Sequence, residues 1–209
     1  MGIWSKQLAA CDRCRSGERS RFGDAEKWAK VFDDPQRDAW QKPHEVIQAL
    51  ALKTDAVVAD IGAGTGYFAV RLAHRVPKGR VYAIDTEPGM VRHLTERAKR
   101  EGLKNLTVVR VAPGDAQLPQ KADLIMLVDV YHHIADRERY FSRLAGSLGS
   151  GGRLAIIDFR MDSPNGPPKA ARIAPDRVKA ELQRAGYTLA QEHGFLPNQY
   201  FLLFHRAGG

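Results

Sequence analysis

Apolar and polar positions change period several times along the chain, and the changes mark out its elements. Between residues 24 and 52 the apolar positions follow a helical period in two pieces. Asp24 suits the N-cap of the first, which places Trp28, Val31 and Phe32 on one face. Pro35 interrupts. Pro43 suits the first turn of the second piece, where Val46, Ile47 and Leu50 share a face. From residue 56 short apolar runs alternate with amphipathic stretches. The pattern predicts a strand over 57–61, a helix over 65–76, a strand over 80–85 and a helix over 88–101 that Gly102 ends. Strands follow over 106–111 and 124–129, then a helix over 136–148 and a strand over 153–159. Such alternation implies βαβ units and a largely parallel sheet, and strands this continuously apolar are covered on both faces. After a loop at 162–172 and a helix over 175–185, runs at 187–192 and 200–205 follow with no helix between them, which predicts antiparallel neighbours.

At 209 residues the chain suits one α/β domain with a short extension, with enough core to need no staple. With 44% hydrophobic and 27% charged residues it reads as an ordinary globular protein, and no apolar run approaches the ~20 residues of a membrane span. A net charge of +8 raises the question of nucleic acid or a membrane surface. However, Arg71, Arg75, Arg92, Lys99 and Arg100 fall where predicted helices face water, and no basic run forms. The charge therefore reads as a solvated surface. The two cysteines, Cys11 and Cys14, are spaced CxxC without a second pair, and His44 and His74 lack ligand spacing to them, so no metal site is expected. A redox CxxC belongs at a strand-to-helix junction, whereas this one lies in residues 1–23, which read as a flexible tail. The string at 8–11, LAAC, resembles the end of a lipoprotein signal but lacks the apolar region before it. A truncated signal of that type stays open. Lys6 stands where myristoylation after Gly2 requires Ser or Thr.

The main chemical signal is VVADIGAGTGYFAVRLA at 57–73. A strand runs into Gly62, Gly64 and Gly66 and then a helix. Glycines allow a tight turn and close approach of a ligand, and the helix start offers free N–H groups. A dinucleotide fingerprint, GxGxxG, would need glycine at 67, where Tyr67 stands. The pattern here is DxGxGxG, led by Asp60. DIGAGTG closely resembles the cofactor loop of class I S-adenosylmethionine-dependent methyltransferases. The resemblance implies that Asp60, Gly62, Ala63, Gly64 and Gly66 bind that cofactor. An acid suits its ammonium and sulfonium and would repel a pyrophosphate. Asp85 closes the next strand about 20 residues on, where a carboxylate accepts from ribose hydroxyls. Nicotinamide enzymes share that feature. In the family this position and its neighbour, here Thr86, hold the ribose. Met90 resembles the apolar neighbour of adenine, or is core. The GDA at 114–116 resembles the adenine-edge site, with Asp115 and Ala116 as candidates, or Asp115 caps its own turn.

Asp129 ends the next strand, beside the transferred methyl if the topology holds. Asp129, Val130, Tyr131 and His132 depart from the [Asp/Asn]-Pro-Pro-[Tyr/Phe] motif of enzymes methylating nucleic-acid amines, which counts against that substrate class. His132 and His133 resemble the small-molecule, ubiquinone-biosynthesis-like branch. Either imidazole can move a proton near neutral pH; the other reading is packing. If 131–134 is extended, neighbours alternate, and His132 faces the cleft with Val130 while His133 turns away with Tyr131. LGSGGRLAIIDF at 148–159 resembles the turn into the fifth strand, with Ser150 where proline is usual.

The resemblance spans residues 43–206. It implies a Rossmann-like, seven-stranded, mostly parallel α/β sheet with helices on both faces and a C-terminal antiparallel hairpin. Residues 24–52 are expected to form a helical lid over the methionine end, the other reading being simple helical packing of Trp40, and 53–209 the methyltransferase domain. The expected activity is methyl transfer from S-adenosylmethionine to a small-molecule acceptor in the cytoplasm, where that cofactor is made. The acceptor and the oligomeric state stay open. A nucleic-acid methyltransferase and a non-catalytic or nicotinamide-binding Rossmann module are the alternatives.

Overall fold

A computed structural model describes residues 34–208 except Ala116. The readings made for residues 1–33, including the Asp24 cap, the Trp28 face and the cysteines, lie outside the described residues. Two short helices, α1 (Arg37–Gln41) and α2 (Pro43–Ala49), precede the sheet. The strands and helices then alternate: β1 (Val57–Ile61), α3 (Tyr67–Arg75), β2 (Arg80–Asp85), α4 (Pro88–Arg100), β3 (Leu106–Arg110), β4 (Ala122–Val128), α5 (Arg137–Leu144), β5 (Leu148–Phe159), α6 (Pro175–Arg184), β6 (Tyr187–His193) and β7 (Gln199–Arg206). Pro43 and Pro88 start their helices. Gly102, at φ +67°, ends α4 with Leu103 N–H returning to Ala98 O at 2.9 Å, the bond of a Schellman stop.

The strands form one sheet in the order β3-β2-β1-β4-β5-β7-β6. Pairs from β3 to β5 are parallel, and β7 enters antiparallel between β5 and β6. Alternation along the strands divides the core in two. Val58, Leu124, Met126, Ala155, Ile157, Phe201 and Leu203 face α2, α3 and α4. Ala59, Ile125, Leu127, Leu154, Ile156, Tyr200 and Leu202 face α5 and α6. Within one strand, consecutive residues thus serve opposite layers. This places Asp158 and Tyr200 toward the second layer, and Phe159 and Gln199 toward the first.

Two expectations need correction. The helix expected to reach 148 stops at Leu144, followed by a 3₁₀ turn over Ala145–Ser147, and Leu148 already pairs with Ala122. The LGSGG segment is the irregular start of β5, with a register shift against β4. Glycine in the positive-φ conformation at Gly151 lets the chain bend there without leaving the sheet. Residues 131–134 are not extended: Tyr131–His133 is a 3₁₀ turn. No helix among the described residues is long and apolar enough to cross a membrane.

A buried carboxylate on α6 braces that turn. Tyr131 Oη donates to Glu181 Oε2 at 2.7 Å, and Arg137 Nε donates to the same oxygen at 2.6 Å. Arg137 Nη1 also donates to Ile134 O at 3.1 Å, so one guanidinium grips both Glu181 and the end of the turn. Burial alone would raise the Glu181 pKa, but the bonds from Arg137, Tyr131 and Arg177 outweigh it and hold it at about 2. Its contribution to stability is complete above its unfolded value of 4.5 and is lost as pH falls through about 2. Glu181→Gln should cost about 2 kcal/mol at neutral pH. In urea melts, the gap to the parent protein should narrow as pH is lowered through that window; a gap independent of pH would show that the charge is not what stabilises the turn.

Candidate functional site

The loop after β1 is stitched to β2. Gly62 and Ala63 N–H both donate to Ile84 O, at 2.8 and 3.1 Å. Gly64 N–H donates to Asp85 Oδ2 at 2.8 Å, and Glu87 N–H to Asp85 Oδ1 at 2.9 Å. Asp85 therefore holds the two loops at the carboxyl ends of β1 and β2 in register, with lone pairs left on both oxygens. Two of the glycines answer to packing as well as conformation. Gly62 has φ +74°, and a Cβ there would lie 2.3 Å from Val130 Cγ2; Gly66 has φ +93°, and a Cβ would lie 2.3 Å from Leu94 Cδ1. Ala63 is buried, Thr86 is exposed, and Arg97 Nη1 ties α4 to the loop through Thr65 O at 3.1 Å.

Met90 is 2% exposed. Asp115 Oδ1 accepts from Gln117 N–H at 3.0 Å, the turn-capping arrangement. One carboxylate oxygen of Asp115 is engaged in this way. Ala116 lies outside the described residues.

The carboxyl edge of β4 and β5 holds the other candidates. β4 ends at Val128, and Asp129 adopts φ +59°, a conformation that non-glycine residues seldom take. Its carboxylate accepts from Gln199 Nε2 at 2.5 Å on Oδ1 and faces Arg37 Nη2 at 3.7 Å on Oδ2. Gln41 Nε2 donates to Gln199 Oε1 at 2.6 Å, and Arg37 Nε to Gln41 Oε1 at 3.1 Å. Helix α1 thus lies across the edge of the sheet. Trp40 packs on Phe159 at 5.8 Å between centroids, the Arg37 guanidinium lies 4.0 Å from the centre of the Tyr67 ring, and Tyr67 Oη bonds Asp38.

His132 and His133 part company in the 3₁₀ turn. His132 Nδ1 lies 2.9 Å from Asp158 Oδ2, which also accepts from His132 N–H at 3.2 Å, and its side chain is 6% exposed. His133 is exposed, with its ring 4.1 Å from that of His132. His132 is the more buried of the two, and not by strand alternation: the turn and Asp158 put it there. Asp158, Arg37, Gln41 and Gln199 were missed in the sequence. Asp158 carries a signal, as an acid at the end of an apolar strand. The other three carry none, since their roles arise only when α1, β4 and β7 meet.

These acids are buried close together. Burial first, and then Asp85, push the Asp60 pKa up to about 7 against the pull of Arg37. Burial and Asp158 push Asp129 up to about 7, against Arg37, His132 and Gln199. Burial also raises Asp85. For His132, burial favours the neutral ring, but Asp158 and Asp129 outweigh it and raise the pKa. Asp60 ionises near 3.8 when unfolded, so between that value and about 7 the fold keeps a proton that the unfolded chain releases. Stability is therefore lost as pH rises through that window. Asp60→Asn should stabilise the fold by on the order of 2 kcal/mol at pH 8 and much less at pH 4. Denaturant melts at the two pH values check this; equal gains at both would mean that Asp60 is not held protonated.

A profile described as a methyltransferase domain matches residues 59–154. Trans-aconitate 2-methyltransferase of Rhodopseudomonas palustris (strain BisB18) is 29% identical over 143 residues, 68% of this chain and 52% of that protein. Protein-L-isoaspartate O-methyltransferase of Aeropyrum pernix is 30% identical over 162 residues, 72% of this chain and 57% of that protein. The chain spans about half the length of the curated relatives it matches. Among solved structures, a SAM-dependent methyltransferase from Aquifex aeolicus superposes with a TM-score of 0.79 at 27% identity, covering 87% of this chain and 97% of that one. Magnesium protoporphyrin IX methyltransferase of Synechocystis PCC 6803, with bound S-adenosylhomocysteine, gives a TM-score of 0.69 at 18% identity, covering 89% and 96%, a likeness of fold. The ubiquinone-biosynthesis-like branch is not singled out. Together with the loop after β1 and the inserted strand β7, these likenesses make the chain similar in sequence and fold to the class I S-adenosylmethionine-dependent methyltransferases, with a methyltransferase domain matched over residues 59–154.

Proposed function

We propose that this protein transfers a methyl group from S-adenosylmethionine to a small-molecule acceptor. The observation that carries the reading is the set of buried acids beside the glycine loop, where Asp60 and Asp129 are held near pKa 7 because burial leaves them short of positive charge. A ligand with an ammonium and a sulfonium supplies that charge, whereas a pyrophosphate adds the wrong sign. Asp60, Gly62, Ala63, Gly64 and Gly66 take the amino-acid end. Asp85 and Thr86 take the ribose, with Met90, Asp115 and Ala116 toward the adenine and Asp129 toward the methyl. Helices α1 and α2 belong to the covering lid. The cofactor supplies a methyl on cationic sulfur, open to in-line displacement. The protein's main task is then to hold the acceptor in line, a contribution of up to ~7–11 kcal/mol in favourable systems. Trans-aconitate, the acceptor in one relative's name, supports a small molecule, although another relative is named for a protein isoaspartate.

Where the nucleophile arrives protonated, His132 is the base. Asp158 accepts from Nδ1–H and from the His132 N–H, which fixes the ring and leaves Nε2 as the basic nitrogen. His133 has an exposed ring and serves as its stacking neighbour.

Calorimetry with S-adenosylhomocysteine tests the cofactor site. Asp85→Ala should weaken binding about tenfold or more, and Asp85→Asn less, since an amide keeps one acceptor for the ribose. Full affinity in Asp85→Ala would move the ribose elsewhere, and no binding by the unsubstituted protein would reject the reading.

Once an acceptor is found, the single-turnover rate should fall at low pH with a midpoint above 6.5, the direction in which Asp158 and Asp129 move His132. His132→Asn should lower the rate about 10²–10⁴-fold and leave cofactor affinity unchanged. Asp158→Asn should move the midpoint down. A parental rate in His132→Asn would leave positioning alone to explain the chemistry.

A further inference from the structure

Four side chains from three elements close a ring at the carboxyl edge of the sheet, and its hydrogen bonds all run in one sense. Arg37 can only donate, and that sets the sense of the rest. Gln41 receives on Oε1 from Arg37 and donates from Nε2 to Gln199. Gln199 receives on Oε1 and donates from Nε2 to Asp129. The ring closes through the Arg37–Asp129 ion pair at 3.7 Å. The guanidinium leaves Gln41 one orientation, and Gln41 in turn sets Gln199, because the reverse would set donor against donor. Aligned amide dipoles running from a fixed cation to a carboxyl group strengthen one another where little water enters, and Gln41 and Gln199 are 0% and 1% exposed.

The ring engages both oxygens of Asp129, Oδ1 through Gln199 and Oδ2 through Arg37. That matters because Asp129 sits at φ +59°, where a non-glycine residue persists only if its surroundings hold it. It also ties α1 to strands far along the chain, and α1 carries Trp40 onto Phe159 and Arg37 onto Tyr67. Tyr67 is the first residue of α3, directly after the glycine loop. The same ring thus sets the aim of an acid near the methyl and the position of the helix that covers the loop.

We propose that Gln41 and Gln199 are positioning residues, an amide relay from Arg37 that fixes the Asp129 carboxylate and seats α1 over the amino-acid end of the cofactor. The proposal rests on the cofactor reading above. Two buried amides that merely filled space would act independently. A relay is broken by the loss of either member, so the second loss adds little.

The test uses the full chain and S-adenosylhomocysteine, so it needs no acceptor. Gln41→Met and Gln199→Met keep volume and remove the amide. Each should weaken S-adenosylhomocysteine binding about five- to tenfold, the loss of one charge-linked hydrogen bond. The double variant should bind no more weakly than the weaker single variant, within about twofold. Arg37→Lys keeps the charge toward Asp129 but has no Nε–H for Gln41, and should match Gln41→Met; it also serves if a methionine variant fails to fold. With Trp4→Phe and Trp28→Phe in every protein, Trp40 is the remaining indole, and either methionine substitution should make it more open to acrylamide quenching while the melt stays cooperative. Unchanged affinity in folded variants, losses that multiply in the double variant, or unchanged Trp40 quenching would each overturn the relay. Absence of S-adenosylhomocysteine binding in the unsubstituted protein would instead overturn the cofactor reading beneath it.

Discussion

Parallel strands end at one edge of a sheet, and here that edge gathers carboxylates. β1 carries Asp60, β2 ends on Asp85, Asp129 follows β4 and Asp158 lies near the end of β5. The strands stand about 5 Å apart and are covered by helices, so these acids share a place where water cannot screen them. Asp85 and Asp158 each add like charge, to Asp60 and Asp129 respectively, on top of the larger effect of burial. Much of the local structure answers that crowding. Gly64 and Glu87 turn backbone N–H groups onto Asp85, His132 leans on Asp158, and Arg37 and Gln199 meet on Asp129. A sheet with its acids at the other end would need none of these.

What keeps the edge from relaxing is the packing beneath it. The residues that alternate into the two core layers leave each strand little freedom to shift, since a slip of one position would exchange the layers. The second layer reaches up to the site through Tyr131, which stacks on Phe141 and bonds Glu181. Glu181 thereby braces the turn that carries His132 from a helix well away from it in sequence, with Arg137, just beyond the turn, as the link. Burial of that ion pair is tolerable because each charged group meets several partners.

How far the molecule was legible in its sequence follows the range of the forces involved. Strand periods, proline starts and the Gly102 stop depend on neighbours a few residues apart, and β1 and β2 fell where their apolar runs lay. The loop after β1 was legible because its glycines meet a local demand for positive φ. Its second demand, space for Val130 and Leu94, was invisible. The turn at 131–133 is not legible in the sequence because the groups that brace it, Glu181 and Asp158, lie 50 and 26 positions away. The LGSGG segment was misread for a different reason: its turn-forming residues suggested a break, yet pairing with β4 holds it in the sheet. The ring through Arg37, Gln41, Gln199 and Asp129 joins residues 70 and 158 positions apart in its longer links. An ordinary arginine and two glutamines announce no such meeting.

The place of β7 bears on how the protein comes to be made. It follows β6 in the chain yet lies between β5 and β6. A ribosome releases residues at roughly 5–20 per second, so β6 emerges before the strand that will hold it to the sheet. Until β7 arrives, β5 presents an open edge, the kind that recruits strands from other chains. Gln199, the first residue of β7, arrives with it. Tight pairing of β5 and the completion of the Asp129 contacts thus fall in one late event of synthesis, and a chain cut short before that point would be left with a sticky edge as well as an unfinished site.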